Sequence, residues 1–572
     1  MITMPDEFLH DPRIAYFSME IALRSEIPTY SGGLGVLAGD TIRSAADLDF
    51  PMVAVSLVSR AGYFRQGIDA DGRQVEAPAS WRPEDWARPL SAKVAVEIER
   101  RPVWVGAWLY VVEAQHGGRA PVLLLDTQYA ENDPRDREIT HYLYGGDDAY
   151  RLKQEIVLGI GGTRLLRALG FQVSAYHMNE GHSALLGLEI LRRYRYPAHE
   201  LQAGESPYDL PRVRARCRFT THTPVDAGHD QFAYELVDRL FGDGEDDGYV
   251  DYPLLKRLAG EDSLNMTRLA LNLSEYVNGV AERHAETSQK MYPGYRVHAI
   301  TNGVHPFTWV AEGLRALYDQ HLPGWCHEPE RLARAAERIP VEAIEAAHEA
   351  AKRSLIARVA AETGRTFDPA RPIVGFARRM TAYKRPDLLF SDLGRLRSIA
   401  AKHPFQIVLA GKVHPRDQRG KELITELVKA ARALGDAVPT VFLADYDLQL
   451  AQLMTAGADL WLNTPQPPYE ASGTSGMKAA LNGVPSLSVL DGWWVEGCLE
   501  GVTGWAVGEP GGAGDAQSLY AKLENVVLPL YYGRRADPGG WRRVMLGAIT
   551  RNGAYFNTHR MMRRYATEAY PR

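Results

Sequence analysis

What this chain has little of narrows it first. Its 572 residues contain three cysteines, Cys217, Cys326 and Cys498, far apart and odd in number. They form no disulfide framework and show no metal-ligand spacing, which points to a reducing compartment. No stretch of about 18 apolar residues occurs, so a membrane span is not expected. The opening Met1-Ile-Thr-Met-Pro-Asp-Glu-Phe8 has no basic region followed by an apolar one, so a secretory signal is not expected and a cytoplasmic location is. Positive charge is not in excess. The 65 Lys and Arg against 71 Asp and Glu leave a formal net charge of −6, which implies no bulk attraction to nucleic acid or to an anionic membrane. Short-period repeats and low-complexity tracts are missing. So is the His-Glu-x-x-His spacing of a zinc hydrolase, and metal hydrolysis is rejected on that ground.

What is present is the composition of a multidomain globular enzyme, 45% hydrophobic and 24% charged. Short apolar runs alternate with helical stretches in both halves. In the first half, strands are predicted at Ile14–Met19, Val53–Val58, Val122–Leu125, Val173–His177, Arg218–Thr221 and Val297–Ile300, with helices over Ala149–Leu169 and Ser183–Tyr194. In the second, strands are predicted at Ile373–Ala377, Ile407–Ala410, Val441–Leu443, Leu460–Asn463 and Ser486–Val489, with a helix over Val341–Glu362 stopped by Gly364. This alternation argues for an α/β protein with parallel sheets. A boundary is expected after Thr301-Asn-Gly-Val-His-Pro306, giving domains 1–306 and 307–540 and a helical, basic tail 541–572. Asp243–Asp247 reads as a solvated acidic loop.

Parallel sheets bind ligands beyond the carboxyl ends of their strands, and the chemically dense segments fall there. These are His177–His182, His222–Asp230, Arg378–Arg385 and Glu470–Lys478. Ser31-Gly-Gly-Leu-Gly-Val-Leu-Ala-Gly39 is a glycine-rich turn leading into a helix; it lacks dinucleotide-fingerprint spacing but brings bare amides to a phosphate or sugar. Ala377-Arg-Arg-Met-Thr-Ala-Tyr-Lys-Arg-Pro386 places four cations within eight residues after an apolar strand, an anion site rather than a surface cluster. His222, His177 and His182 taken singly read as satisfied core histidines, the commoner case for a lone histidine. Lys478, in Tyr469-Glu-Ala-Ser-Gly-Thr-Ser-Gly-Met-Lys-Ala-Ala-Leu-Asn-Gly483, stands on the expected first turn of a helix, where the dipole disfavours a cation. A lysine beside a phosphate-shaped hole suits a pyridoxal phosphate Schiff base.

Taken together the segments resemble the α-glucan phosphorylases, the glycogen, starch and maltodextrin phosphorylase family. They run along most of the chain: Tyr16-Phe-Ser-Met-Glu20, Gly32-Gly-Leu-Gly35, Arg151-Leu-Lys-Gln-Glu155, Asn179-Glu-Gly-His182, Thr221-His-Thr223, Val277-Asn-Gly-Val-Ala281, Thr301-Asn-Gly303, Arg379 with Tyr383-Lys-Arg385, and Glu470-Ala-Ser-Gly-Thr474 with Met477-Lys478. The resemblance implies the GT-B architecture, two Rossmann-like domains around a cleft. It implies pyridoxal 5′-phosphate on Lys478, its phosphate held by Thr474, the amides of Ser475 and Gly476, and Arg378. It assigns substrate phosphate to Arg379, Lys384 and the amides at Gly33 and Leu34. It assigns the sugar to Glu470, Ala471, Ser472, Gly473, His222 and Asn302, with Tyr383 lining the pocket. The implied reaction is reversible, retaining phosphorolysis of a terminal α-1,4-linked glucose in a glucan or maltodextrin, by inorganic phosphate, to α-glucose 1-phosphate. A homodimer is one option for the assembly.

The chain departs from the family pattern in three ways. Ser475-Gly476 stands where the best-known members have Gly-Asn, Arg378 stands where lysine is common, and the chain is shorter, so no nucleotide or phosphorylation control is expected. The alternative is a retaining nucleotide-sugar transferase of the glycogen synthase kind. Those enzymes place a second carboxylate about two helical turns after the first glutamate, where this chain has Met477-Lys478.

Overall fold

The computed structural model describes residues 1–115, 117–225, 228–241, 252–508, 514–534 and 538–571. The acidic stretch Asp243–Asp247 lies outside the described residues. Two sheets organise the chain. The C-terminal one has six parallel strands in the spatial order Thr440–Leu443, Gln406–Ala410, Ile373–Ala377, Leu460–Asn463, Ser486–Val489 and Gly504–Val507. In chain order that is 3-2-1-4-5-6, the doubly wound pattern, which reverses between Ile373–Ala377 and Leu460–Asn463. Gln406-Ile-Val-Leu-Ala410 and its neighbour Ile373–Ala377 are buried throughout, as apolar strands covered by helices on both faces must be.

The N-terminal sheet repeats the scheme. Arg13–Ser18 is central, with Met52–Leu57 and Arg119–Asp126 on one side and Val173–Asn179, Cys217–Thr220, Tyr276–Gly279 and His298–Ala299 on the other, all parallel. The order reverses between Arg13–Ser18 and Val173–Asn179. Beyond Arg119–Asp126 the long strand Arg101–Glu113 adds antiparallel and carries the short edge strands Arg88–Pro89 and Val94–Ile98. Of the predicted strands, Val297–Ile300 shrinks to the pair His298–Ala299, while Tyr276–Gly279 and Gly504–Val507 were not predicted.

Helix Val341–Thr363 ends where expected, at Gly364 with φ +69°. Predicted Ala149–Leu169 is helical from Asp148 to Ala168, with a π-type turn over Val157–Gly161. Among the described residues no helix is long and apolar enough to cross a membrane.

The helix Gly33–Asp47 connects the two sheets at its middle and at its last turn. Asp40 accepts from the His305 amide (3.1 Å) and the Trp309 indole (2.7 Å). At its last turn Asp47 takes the His305 ring at 2.6 Å and lies 3.4 Å from His559. The terminal helix Thr558–Arg564 packs on the same element, with Thr558 and Ser44 hydroxyls 2.5 Å apart. Farther along, Tyr570 bonds His177 (2.6 Å) and Tyr565 bonds Thr220 and Asn278 (3.0 Å each).

Candidate active site

Both strand-order reversals open onto one cleft, a cavity of about 810 Å³ lined from both halves of the chain. After Arg13–Ser18 comes Glu20. After Val173–Asn179 comes Glu180, and after Cys217–Thr220 comes His222. After Ile373–Ala377 come Arg378, Arg379 and Lys384. After Leu460–Asn463 comes the loop Glu470–Thr474 and the helix Ser475–Leu481. Every sequence-predicted site residue except Gly476 lines this cavity; Gly476 is buried beneath it. His177 does not belong to it. The strand continues two residues past the predicted end, so His177 sits inside the sheet against Tyr565 and Tyr570. Burial keeps it neutral, its pKa near 3.

Glu470 stands at the centre. Its Oε2 accepts from Arg378 Nη2 at 2.6 Å, and Lys384 Nζ bonds both carboxylate oxygens at 2.6 and 2.7 Å. Burial alone would raise its pKa, but Arg378 and Lys384 outweigh that and hold it low. Arg378 is itself buried, and its Nε and Nη1 have no hydrogen-bond partner among the described residues. The buried Ser472 Oγ is likewise unpartnered. Asp491, which the sequence analysis did not flag, accepts from the Glu470 amide (2.8 Å) and fixes the loop; burial raises its carboxyl to about 6 despite that bond.

Arg379 turns the other way. Its side chain is exposed to the cavity and its guanidinium lies against Gly32, where an added Cβ would come within 3.0 Å of Nη2. Burial in the cleft works against its charge, while Glu20, Tyr383, Tyr63 and Tyr144 favour it and raise its pKa. Glu20, also unflagged, accepts from the amides of Ser31 (2.5 Å) and Gly32 (3.1 Å) and from Tyr144 (2.9 Å). The amides of Gly33, Leu34 and Gly35 begin the helix and have no intrahelical acceptor. Thus Arg379 and the helix-start residues Gly33 and Leu34 line the cavity from opposite sheets.

Lys478 is the fourth of seven residues in its helix, so the dipole conflict expected for a first-turn lysine is small. Its burial is the unusual feature. The amine makes no hydrogen bond or ion pair among the described residues; it lies 3.9 Å from the Trp309 ring centroid. Desolvation lowers its pKa to about 8, with Asp40 opposing. Across the cleft His222 donates Nε2–H to Asn179 (2.6 Å) and its amide to Glu180 (2.7 Å). Burial lowers its ring to about 3, so it is neutral. Asn302 brings a buried, unpartnered Oδ1 to the same cavity.

Comparison with known proteins adds independent evidence. A family model described as Phosphorylase: Carbohydrate phosphorylase matches residues 246–500. The chain is 39% identical to the maltodextrin phosphorylase of Thermococcus litoralis, over 97% of its own length and 70% of that protein's. It is 35% identical to the glycogen phosphorylase of Aquifex aeolicus, over 97% of its own length and 86% of that protein's. It is 32% identical to an uncharacterized protein of Methanocaldococcus jannaschii, over 97% and 99% of the two chains.

Proposed function

This chain belongs to the carbohydrate phosphorylase family, and from that premise we propose that it is an α-glucan phosphorylase. Its reaction is reversible, retaining phosphorolysis: inorganic phosphate displaces the terminal α-1,4-linked glucose of a glucan or maltodextrin as α-glucose 1-phosphate. The proposed cofactor is pyridoxal 5′-phosphate. The observation that carries the reading is Glu470 joined to both Arg378 and Lys384, with the unpaired amine of Lys478 in the same cleft.

The residues fit the cofactor. Among the described residues, Lys478 offers an amine without a hydrogen-bond partner, and Arg378 offers two donor nitrogens that none of them satisfies. Thr474 and the amides of Ser475 and Gly476 complete the cradle. When bound, the cofactor supplies an acidic phosphate beside the substrate phosphate. Lys478 is assigned as its tether. Arg379, Lys384 and the amides at Gly33 and Leu34 hold the substrate phosphate; two dianions side by side repel, and clustered cations offset that repulsion. Glu470, the backbone of Ala471 to Gly473, Asn302 and neutral His222 hold the glucose hydroxyls, and Tyr383 closes the pocket. In the bond exchange the glycosidic C1–O bond breaks, the leaving glucan oxygen takes the proton that inorganic phosphate brings, and an oxygen of that phosphate bonds C1 from the same face. The division 1–306, 307–540 and 541–572 is the proposed domain plan.

The test is direct. Purified protein is given maltodextrin with inorganic phosphate, and separately maltodextrin with a nucleotide sugar. Glucose 1-phosphate from the first mixture and no chain growth in the second is the expected result; growth in the second alone overturns the reading. Borohydride treatment followed by peptide mass spectrometry is expected to fix the pyridoxal group on Lys478.

A further inference from the structure

Ser475 carries a hydroxyl with one lone pair committed and its proton uncommitted. Trp461, fully buried on the strand Leu460–Asn463, donates its indole N–H to Ser475 Oγ at 3.0 Å. A buried indole N–H needs such an acceptor. The ring cannot slide away, because Gly375 on the next strand leaves it only enough room: a Cβ there would meet Trp461 Cζ3 at 3.1 Å. A serine hydroxyl has one proton to donate. Within a helix it commonly turns back to a carbonyl four residues earlier, but Ser475 Oγ makes no bond among the described residues besides the one from Trp461. It lines the cleft beside Thr474 and Lys478.

Among the described residues the buried Arg378 also lacks partners, through Nε and Nη1. Two unsatisfied guanidinium donors are an independent sign of an anionic ligand. Gly476 next door is fixed by packing alone, since a Cβ would meet Trp493 Cζ2 at 2.7 Å and Ser486 Oγ at 3.0 Å. A side chain can therefore reach the cradle from position 475 and not from 476.

We propose that the Ser475 hydroxyl is itself a phosphate ligand, donating its proton to the cofactor phosphate, and that Trp461 is the positioning residue that aims it. The inference rests on the cofactor reading above. Trp461 acts only through Ser475: by donating to one lone pair it turns the hydroxyl proton away from the core and strengthens it as a donor.

The experiment follows release of pyridoxal phosphate from purified holoenzyme diluted into an aldehyde scavenger, read by the cofactor's own absorbance. Wild-type protein that carries no pyridoxal phosphate overturns the cofactor reading, and the present inference with it. Given loaded wild type, Ser475→Ala is expected to release the cofactor roughly 10- to 100-fold faster, the worth of a hydrogen bond to a charged group. Trp461→Phe is expected to speed release less, and the double variant to match Ser475→Ala alone. With pyridoxal lacking the phosphate in place of the cofactor, Ser475→Ala and wild type are expected to bind equally. Release from Ser475→Ala at the wild-type rate overturns the hydroxyl's role. Additive effects in the double variant overturn the assignment of Trp461. Ser475→Ala removes one oxygen from a half-exposed site, so the test survives a Trp461 variant that does not fold.

Discussion

The Trp309 ring covers the Lys478 amine at 3.9 Å, and the same indole donates to Asp40 at 2.7 Å. One side chain thus joins Lys478 of one sheet to the helix Gly33–Asp47 of the other. It also packs on an amine that is largely buried, and that burial has a measurable cost. Moving the Lys478 pKa from 10.5 to about 8 costs about 3 kcal/mol at neutral pH. The folded state binds this proton less tightly than the unfolded chain, so the cofactor-free protein gains stability as pH rises from about 8 towards 10. Lys478→Met is expected to melt higher than wild type at pH 7 when both are free of cofactor, with the gap closing as pH rises. Calorimetric melts across that range check it; a gap that does not change with pH excludes desolvation as its cause.

Glu470 neutralises two buried cations. Glu470→Gln leaves Arg378 and Lys384 without their carboxylate, a loss on the order of 3 kcal/mol. The variant is expected to melt several degrees below wild type in phosphate-free buffer. Added inorganic phosphate is expected to recover more of the melting temperature in the variant than in wild type, because the anion takes over the vacated charge. Equal recovery in both proteins would count against phosphate meeting these cations.

Glycines of the first loop divide by what surrounds them. A Cβ on Gly33 meets nothing within 4 Å, whereas one on Gly35 would meet Glu20 Oε2 at 2.6 Å. Gly33→Ala is therefore expected to leave the melting temperature unchanged and to raise KM for phosphate several-fold by keeping the anion off the helix-start amides. Gly35→Ala is expected to lower stability by about 1–3 kcal/mol through overpacking. Steady-state kinetics alongside thermal melts separate the two.

Tyr570 anchors the chain's end to the first sheet through His177. Tyr570→Phe removes the hydroxyl from a buried neutral imidazole and is expected to cost about 1–2 kcal/mol. Phosphate and glucan KM are expected to stay at wild-type values, since neither residue reaches the cleft. A change in either KM with unchanged stability would contradict that placement.

The sequence was most legible where apolar runs meet chemistry. The strand Ile373–Ala377 is uninterrupted by polar residues and followed at once by Arg378 and Arg379, so both its position and its polarity could be read directly. The strand Arg101–Glu113 escaped because its pairing is antiparallel and sits outside the βαβ rhythm. Tyr276–Gly279 escaped because four residues ending in Asn-Gly read as a turn. Within the site, Glu20 and Asp491 were legible in principle, since each follows a strand end as Arg378 does. They were passed over because a lone carboxylate carries no spacing signal. Trp309 gives no signal at all: its place over Lys478 is set by contacts between residues 173 and 269 positions apart, from Asn482 to the Trp309 carbonyl and from Trp309 to Asp40. His177 was misplaced for the opposite reason: two extra residues of strand moved it from the ligand edge to the interior.

The helix Gly33–Asp47 is a rod of about 22 Å held along its length. The Gly35 carbonyl takes the Ala22 amide in its first turn, Asp40 takes His305 and Trp309 at its middle, and Asp47 takes His305 and His559 at its last turn. Gly33 stands at the cleft. A rod pinned at three levels gives its first turn little freedom to drift, so the spacing between the amides of Gly33 and Leu34 and the opposite sheet is set by the fold before any ligand arrives.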